Sequence, residues 1–356
     1  MRPLATQAPA VEPTGHDHED LVVQTGRRTG ATMAVAIHST RLGPALGGVR
    51  LWRYLRDEDG VADALRLARG MTFKAAAAGL DLGGGKGVIC APSTKPATGD
   101  ERRAIFLDFG DLVDSLGGRY ITAEDVGTCP EDMVVIAERT SHVTGMPEGL
   151  GGAGDPSPFT ALGVQAAMRA TVKWKFGSPD LSGRSVVIAG LGHVGANLAR
   201  RLADAGAEIA VTDIDPRKRE FADSLGAAWL EPGDALEAEC DIVSPCAVGG
   251  AISSSNIDRL RCRAICGAAN NQLADDSLAE TLASRGILCA PDFIANAGGL
   301  INVYREVNSF SSARAAELAL GIETTMGEVL ARADAAATTP LHAARELARE
   351  RLDPQG

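Results

Sequence analysis

Two lysines stand in unusual company in this chain. Lys74 lies in Met71-Thr72-Phe73-Lys74-Ala75-Ala76-Ala77-Ala78-Gly79-Leu80, and Lys86 follows Gly83-Gly84-Gly85. A lysine among small apolar residues ordinarily snorkels its ammonium to solvent. The glycines point elsewhere: they leave room for a ligand to approach the backbone, and an ammonium near a second ammonium in a partly closed site has its pKa lowered toward that of a useful base. A nucleotide-triphosphate loop is excluded, because Leu80 stands where GxxxxGK[ST] needs its first glycine and Gly87 where it needs a hydroxyl.

A second constellation binds rather than reacts. Gly190-Leu191-Gly192-His193-Val194-Gly195 matches GxGxxG, follows the strand-like Val186-Val187-Ile188 and opens a helical pattern through Leu198, Leu202 and Ala205. The first glycine permits a tight turn, the second lets the backbone approach a pyrophosphate, and the third lets helix pack on strand, with the helix N-terminus facing the phosphates. About twenty residues on, Asp213, with Ile214 beside it, ends the next strand, where a carboxylate accepts the adenosine ribose hydroxyls and repels a 2′-phosphate. NAD is favoured over NADP, although Arg217, Lys218 and Arg219 follow closely. A second GxGxxG at Gly149, Gly151 and Gly154 is rejected: Met146-Pro147-Glu148 is no strand, and Pro156 and Pro158 read as no helix opening.

The elements that must carry these motifs fall into two groups. Residues 21–145 read as mixed α/β, with an apolar run from Met33 to Ile37 and a helical stretch from Val61 to Arg69; the Gly- and Pro-rich segment Glu148 to Pro158 reads as a linker. After it, Ser185 to Ala189, Glu208 to Thr212, Ala227 to Leu230, Asp241 to Ser244, Ala264 to Cys266 and Ile287 to Cys289 are strand-like, and six such strands alternating with helices or loops predict a doubly wound parallel sheet. The expected fold is therefore α/β in two domains: an N-terminal α/β substrate domain and a Rossmann-type NAD domain over 146–319, with the active site in the cleft between them. Residues 1–20 are expected to be a disordered leader. The helical tail 320–356 is expected to return to the first domain.

Composition narrows the partners. A formal net charge of −11 leaves no basic face to track a phosphate backbone, so nucleic acid is not an expected partner. No run approaches the roughly 18 apolar residues of a membrane span, and no secretory start is evident. The seven cysteines, Cys90, Cys129, Cys240, Cys246, Cys262, Cys266 and Cys289, are scattered, as suits reduced thiols in a cytoplasmic protein. No metal site is expected, since Cys262 and Cys266 have no second pair and no two histidines have HExxH spacing.

Taken together, Leu42-Gly43-Pro44-Ala45-Leu46-Gly47-Gly48, Arg69-Gly70-Met71-Thr72, Gly83-Gly84-Gly85-Lys86, Tyr120-Ile121-Thr122-Ala123-Glu124-Asp125-Val126-Gly127-Thr128, Cys266-Gly267-Ala268-Ala269-Asn270-Asn271-Gln272 and Asn296-Ala297-Gly298-Gly299 resemble the leucine, valine and phenylalanine dehydrogenases of the glutamate dehydrogenase superfamily. The resemblance implies reversible NAD-dependent oxidative deamination of an apolar L-amino acid, of the branched-chain group, to a 2-oxo acid and ammonia. It also implies a homo-oligomer. Lys74 would then hold the substrate carboxylate with the amide of Asn271, Lys86 would activate the attacking water, and Asp125 would shuttle the amino proton. Leu46, Gly47, Gly48, Ala123, Leu300 and Val303 match substrate-side positions. Thr160, Cys246, Ala247, Ala269 and Asn270 match the nicotinamide side, and Arg50 matches an arginine near the cofactor.

Two departures stand out: Val49 replaces the family's usual threonine, and Tyr304-Arg305-Glu306-Val307-Asn308-Ser309-Phe310 differs from the usual pattern. Ala123 resembles the aliphatic-specific members and Leu300 the phenylalanine-specific ones, so an aromatic substrate is the alternative. From another class, the rival is an NAD-binding regulatory protein without turnover, which would have no need of Lys74, Lys86 and Asp125 together. A bifunctional folate-type dehydrogenase leaves the glycine run before Lys86 and the Asn270-Asn271 pair unexplained.

Overall fold

In the computed structural model, residues 17–91 and 96–353 are described. They divide into two units, one within Met1–Thr72 and Leu82–Thr144, the other within Phe73–Asp81 and Gly145–Gly356. Most of the expected leader lies outside the described residues; its last residue, Asp20, already begins a strand.

The first unit runs β1 (Asp20–Thr25), β2 (Thr32–Ser39), β3 (Ala45–Trp52), α1 (Asp57–Ala77), β4 (Gly83–Cys90), α2 (Gly99–Ser115), β5 (Tyr120–Glu124) and α3 (Pro130–Ala137). Its sheet has the order β1-β2-β4-β3-β5, with β4 antiparallel to β2 and parallel to β3. All eight residues of β4 are buried. Such burial on both faces requires packing from each side. On one side Ala64 and Ala68 of α1 pack against Ala34, Ala36, Val88 and Cys90. On the other, Phe109 of α2 lies against Gly87, and Tyr120 lies against Gly85. Phe106 and Phe109 are fully buried, and each contributes about 1.5–3 kcal/mol by leaving water.

Register then decides where the chemistry sits. Lys86 pairs with Ala36 of β2; the pairing of Val49 with Gly87 brings Gly48 of β3 beside Lys86, and Gly48 pairs with Ala123 of β5. One long cationic side chain therefore projects from a row whose other members have almost no side chain, on the face that α1 covers. Helix α1 is longer than the sequence pattern suggests and carries Lys74 in its last turn.

The second unit runs α4 (Ser157–Phe176), β6 (Ser185–Ala189), α5 (His193–Asp204), β7 (Glu208–Thr212), α6 (Arg219–Ser224), β8 (Ala228–Trp229), β9 (Cys240–Pro245), β10 (Cys262–Ile265), α7 (Leu278–Ser284), β11 (Leu288–Cys289), α8 (Asp292–Ala295), α9 (Gly298–Asn308), α10 (Ser312–Leu320), α11 (Ile322–Ala335) and α12 (Pro340–Leu352). Each expected strand is present. All pairings are parallel and the order is β11-β10-β9-β6-β7-β8, a doubly wound sheet whose order reverses between β6 and β9.

Two expectations need correction. Pro156 and Pro158 do not prevent a helix: α4 starts at Ser157 with a proline in its first turn, where a missing N–H removes no intrahelical bond. Residues 320–356 group with the second unit rather than the first. The apolar face of α11, with Ile322, Met326, Val329 and Leu330, is buried, Ile322 lies against Gly163 of α4, and Arg351 of α12 donates to the Ala76 carbonyl at the end of α1, which belongs to the same unit. Among the described residues no helix is long and apolar enough to cross a membrane, no cluster could hold a metal ion, and all seven cysteines are free.

Gly84 tests the fit of β4 under α1, because a Cβ there would overlap the Thr72 backbone nitrogen. Gly84→Ala is expected to cost about 1–3 kcal/mol of stability. Gly70→Ala, with open space around it on the exposed side of α1, should stabilise by up to about 1 kcal/mol. Urea denaturation of both variants decides; a neutral Gly84→Ala would show that the close approach is not needed.

Candidate active site

In the first unit Lys86 Nζ lies 2.9 Å from Asp125 Oδ2, with only 6 % of the lysine side chain exposed. Asp125 follows the last residue of β5 and is held by a turn in which its N–H donates to Thr128 Oγ1 at 2.8 Å. Arg50 Nε also donates to Asp125 Oδ2, at 2.9 Å. Both cations thus bind one oxygen, and among the described residues no donor is bonded to Oδ1. Burial pulls the Lys86 ammonium below its ordinary pKa, against the attraction of Asp125, and the Arg50 charge pulls the same way. Burial pushes the Asp125 carboxyl up, but Lys86 and Arg50 outweigh it and hold it below the usual range. The result is a lysine that deprotonates easily beside a carboxylate that stays charged and has one oxygen open.

Around the pair Leu46 and Ala123 are buried, Gly47 and Gly48 lie within β3, and the Tyr120 hydroxyl donates to the Gly47 carbonyl. Arg50, expected near a cofactor, is engaged on both sides in this structure: NH1 donates to Asp63 Oδ2 at 2.9 Å, and the same oxygen accepts Tyr54 OH at 2.8 Å.

The second unit holds the dinucleotide features at the reversal of its sheet. Gly190 has φ +112°, and a Cβ on Gly195 would overlap the Gly190 carbonyl oxygen, so the loop closes directly on the first turn of α5. Gly192 and His193 are exposed there and Val194 half-buried, Gly192 with open space around it. Leu191 N–H donates to Asp213 Oδ2 at 2.8 Å, fixing the carboxylate to the loop, and Ile214 is 91 % exposed beside it. From the adjacent strand end, Cys246 and Ala247 pack against Gly190 and Gly195. These residues fit a dinucleotide: unobstructed backbone at Gly192 before a helix N-terminus, an anchored carboxylate and an exposed apolar side chain for a base.

Ala269 is buried next to this loop, and Asn270 Oδ1 accepts from Asn296 Nδ2 at 2.9 Å. Asn271 takes a left-handed backbone, φ +50°, uncommon for a side chain other than glycine. The loop is held by Gly250 N–H on the Asn271 carbonyl at 2.7 Å and by Gln272 N–H on Asp292 Oδ2 at 2.9 Å. Burial raises the Asp292 pKa, opposed by the backbone amides of Gln272 and Phe293 and by the charge of Lys74, which places Lys74 within electrostatic reach of this loop. Thr160 lies beneath Gly299, with its hydroxyl given to the Pro156 carbonyl; Leu300 is buried and Val303 half-buried one turn apart on α9.

Sequence reasoning missed four residues in these networks. Asp63, Tyr54 and Asp292 carry no local motif. Asn296 sits inside a recognised stretch, and its place before Ala297-Gly298-Gly299 was the one signal that could have drawn attention to it.

A parallel doubly wound unit with an anchored ribose-side carboxylate, in one chain with a unit bearing a buried lysine–carboxylate pair, defines a two-domain oxidoreductase of the nicotinamide-dependent dehydrogenase class. The chain belongs to the glutamate, leucine, phenylalanine and valine dehydrogenase family: the family's dimerisation-domain sequence model matches residues 19–142 and its main dehydrogenase model residues 210–351. It is 42% identical to a leucine dehydrogenase of Thermoactinomyces intermedius over 95% of this chain and 92% of that one, and 43% identical to a leucine dehydrogenase of Bacillus subtilis (strain 168) with the same coverage. The crystal structure of L-tryptophan dehydrogenase from Nostoc punctiforme superposes with a TM-score of 0.83 at 38% identity, covering 96% of this chain and 98% of that chain.

Because Gly195 must touch Gly190, Gly195→Val should abolish detectable nicotinamide-dinucleotide binding while leaving the first unit folded. NADH fluorescence titration with circular dichroism checks this. Binding within a few fold of the unmodified protein would show that this loop is not the cradle.

Proposed function

We propose that the protein catalyses the reversible NAD-dependent oxidative deamination of a branched-chain L-amino acid, leucine, valine or isoleucine, to the 2-oxo acid and ammonia. The observation that carries this reading is the 2.9 Å contact of buried Lys86 with Asp125, whose second oxygen is open. Asp125 Oδ1 receives the substrate ammonium and takes its proton. A nicotinamide held by the second unit would supply the acceptor for the Cα hydride. Neutral Lys86 then takes a proton from the water that attacks the imine carbon, Asp125 returns a proton to the nitrogen, and the carbinolamine collapses to the 2-oxo acid as its hydroxyl gives its proton to the Asp125 carboxylate and the nitrogen leaves as ammonia. Lys74 and the Asn271 amide hold the substrate carboxylate as an ion pair with a hydrogen bond, an arrangement supported by the fixed Asn271 loop and the nearby Asp292.

Leu46, Gly47, Gly48, Ala123, Leu300 and Val303 would receive the side chain. All are apolar or lack a side chain, so a charged substrate would be desolvated without compensation. The relatives named leucine dehydrogenase favour the branched-chain group. An aromatic substrate is the second reading, favoured by the tryptophan dehydrogenase likeness, and one methylene in such a pocket is worth only about 1–3 kcal/mol, so overlapping activity is expected. NAD would be held by Gly190 to Gly195, Asp213 and Ile214, with Thr160, Cys246, Ala247, Ala269 and Asn270 toward the nicotinamide. NAD is preferred over NADP because Asp213 repels a 2′-phosphate, and because Asp215, its carboxyl lowered to about 2 by its bonds to Arg217, occupies that arginine at 2.7 and 2.8 Å. A homo-oligomer built through the first unit is supported by the dimerisation-domain match and by exposed Leu21 and Val23 on edge strand β1. Scattered thiols are in keeping with the cytoplasm.

Incubation with NAD and a panel of L-amino acids at alkaline pH, read by NADH absorbance, tests the reaction; best activity on glutamate would refute the pocket. Activity should fall as pH drops through the lowered Lys86 pKa, because protonated lysine cannot act as a base. Lys86→Ala should reduce kcat by about 10² to 10⁴ with NADH affinity unchanged. Lys74→Ala should in addition raise KM for the amino acid. Near-normal turnover in Lys86→Ala would remove the base from Lys86.

For the cofactor, kcat/KM with NAD should far exceed that with NADP, and Asp213→Ala should narrow the ratio. Equal use of the two by the unmodified protein would overturn the assignment of Asp213.

A further inference from the structure

Lys74, the lysine assigned to the substrate carboxylate, lies in the last turn of α1, and that turn is closed twice. The backbone closes it first. Gly79 takes φ +75°, its N–H donates to the Ala76 carbonyl at 3.1 Å, and Leu80 N–H donates to the Ala75 carbonyl at 3.0 Å, the bonding of a glycine-terminated helix end. A side chain from the last turn of α12 closes it again: Arg351 NH1 donates to the same two carbonyls, at 3.0 Å to Ala76 and 3.5 Å to Ala75. Its NH2 reaches Asp81 Oδ1 at 2.9 Å, just past the turn. The guanidinium stands over the glycine, with NH1 3.8 Å from the point that a Cβ on Gly79 would occupy. A cation bonded to the last carbonyls of a helix also complements the negative end of its dipole.

The element that carries Arg351 is itself anchored. Ala343, Ala344 and Ala348 bury one face of α12, and Glu350, next to Arg351, accepts Arg332 NH1 of α11 at 2.7 Å. Arg349 places its guanidinium 5.8 Å from the centre of the Phe73 ring. Phe73 and Ala75, the residues on either side of Lys74, are therefore both held by arginines of α12. Phe73–Asp81 and α12 belong to the same unit.

We propose that Arg351 is a positioning residue for Lys74: by capping the end of α1 it fixes the backbone from which the lysine reaches, so the C-terminal helix takes part in binding the substrate carboxylate. A helix end whose carbonyls lack partners frays within its last turn, and fraying here would displace the lysine and loosen its ion pair with the carboxylate. An arginine suits the position because its planar fork spans both carbonyls and Asp81, where an ammonium is a single point charge. Asp81 is 77 % exposed, so the carbonyl bonds rather than the ion pair carry the effect.

The role given to Arg351 rests on that of Lys74, which the KM of Lys74→Ala tests on its own. KM, kcat and the NADH dissociation constant are measured for Arg351→Ala, Arg351→Lys and Asp81→Asn. Inhibition constants are added for isocaproate, which has the carboxylate of leucine without its amino group, and isoamylamine, which has the amino group without the carboxylate. In Arg351→Ala, KM for leucine and the inhibition constant of isocaproate should both rise about tenfold, while kcat, NADH binding and inhibition by isoamylamine stay within about twofold. Damage to the fold would not separate the two inhibitors. Arg351→Lys should fall between, and Asp81→Asn should stay within about twofold of the unmodified protein. Added to Lys74→Ala, Arg351→Ala should raise KM no further, because its effect passes through the lysine. Equal weakening of the two inhibitors, or an unmoved isocaproate constant in Arg351→Ala, would overturn the proposal while leaving Lys74 in its role. An unmoved KM in Lys74→Ala would overturn the role of Lys74 and the proposal with it. If Arg351→Ala does not fold, the ratio of the two inhibition constants in Arg351→Lys decides alone.

Discussion

An ammonium removed from water must be paired, and this requirement organises the first unit. Lys86 sits mid-strand in a strand buried on both faces, where an isolated charge would be very costly. Its carboxylate partner does not come from the same strand, whose neighbours on that face, Gly84 and Val88, carry no charge. It comes from the turn after β5, and the small residues in the same row, Ala36, Gly48 and Ala123, leave the space for the two to meet. One carboxylate against two cations leaves an excess of positive charge, and Asp63 balances it. The glycine-rich strands, the closely packed α1 and the carboxylate–guanidinium chain all follow from keeping one charge dry and satisfied.

The second unit meets a different constraint, that of presenting backbone rather than side chains. Its dinucleotide loop is closed by glycine-to-glycine contact and secured by an amide on Asp213. The Asn270-Asn271 loop is secured likewise: Asn296 fixes one side chain, and Asp292 fixes the backbone that follows the left-handed residue. A strained backbone persists only where its surroundings determine it more than once, and here two independent hydrogen bonds do so.

How much of this was legible depended on range in sequence. The phosphate loop, its strand, its helix and Asp213 lie within 30 residues and obey local rules, so they could be read directly. So could the six parallel strands, each a short apolar run between turn signals. Lys86 was marked by its glycines. Asp63 was not, because it meets Arg50 thirteen residues away and acts through Asp125, 75 residues beyond Arg50, with no pattern linking them. Arg50 was named by resemblance, and its bonds to Asp125 and Asp63 had no signal in the sequence. Pro158 misled because proline was read as a breaker when its position in the first turn makes it an initiator. The tail was assigned by analogy, and analogy gives no packing partner; the apolar face of α11 does.

The unusual stretch Tyr304 to Phe310 acquires a physical account. Glu306 Oε2 accepts the backbone amides of Gly145 and Ala153, each at 3.0 Å, while Arg305 and Asn302 donate to the Ala153 carbonyl. The same helix, α9, bears Val303 about one turn and Leu300 about two turns earlier. The chain segment leaving the first unit is therefore tied to the helix that forms part of the proposed side-chain pocket. In evolutionary terms, this linkage penalises any lineage that enlarges the pocket by sliding or tilting α9, since the connecting segment would lose four hydrogen bonds at once. Changes of substrate should accumulate instead as single side-chain exchanges on a stationary helix, and drift in the connecting segment should be restrained by the metabolite the enzyme selects.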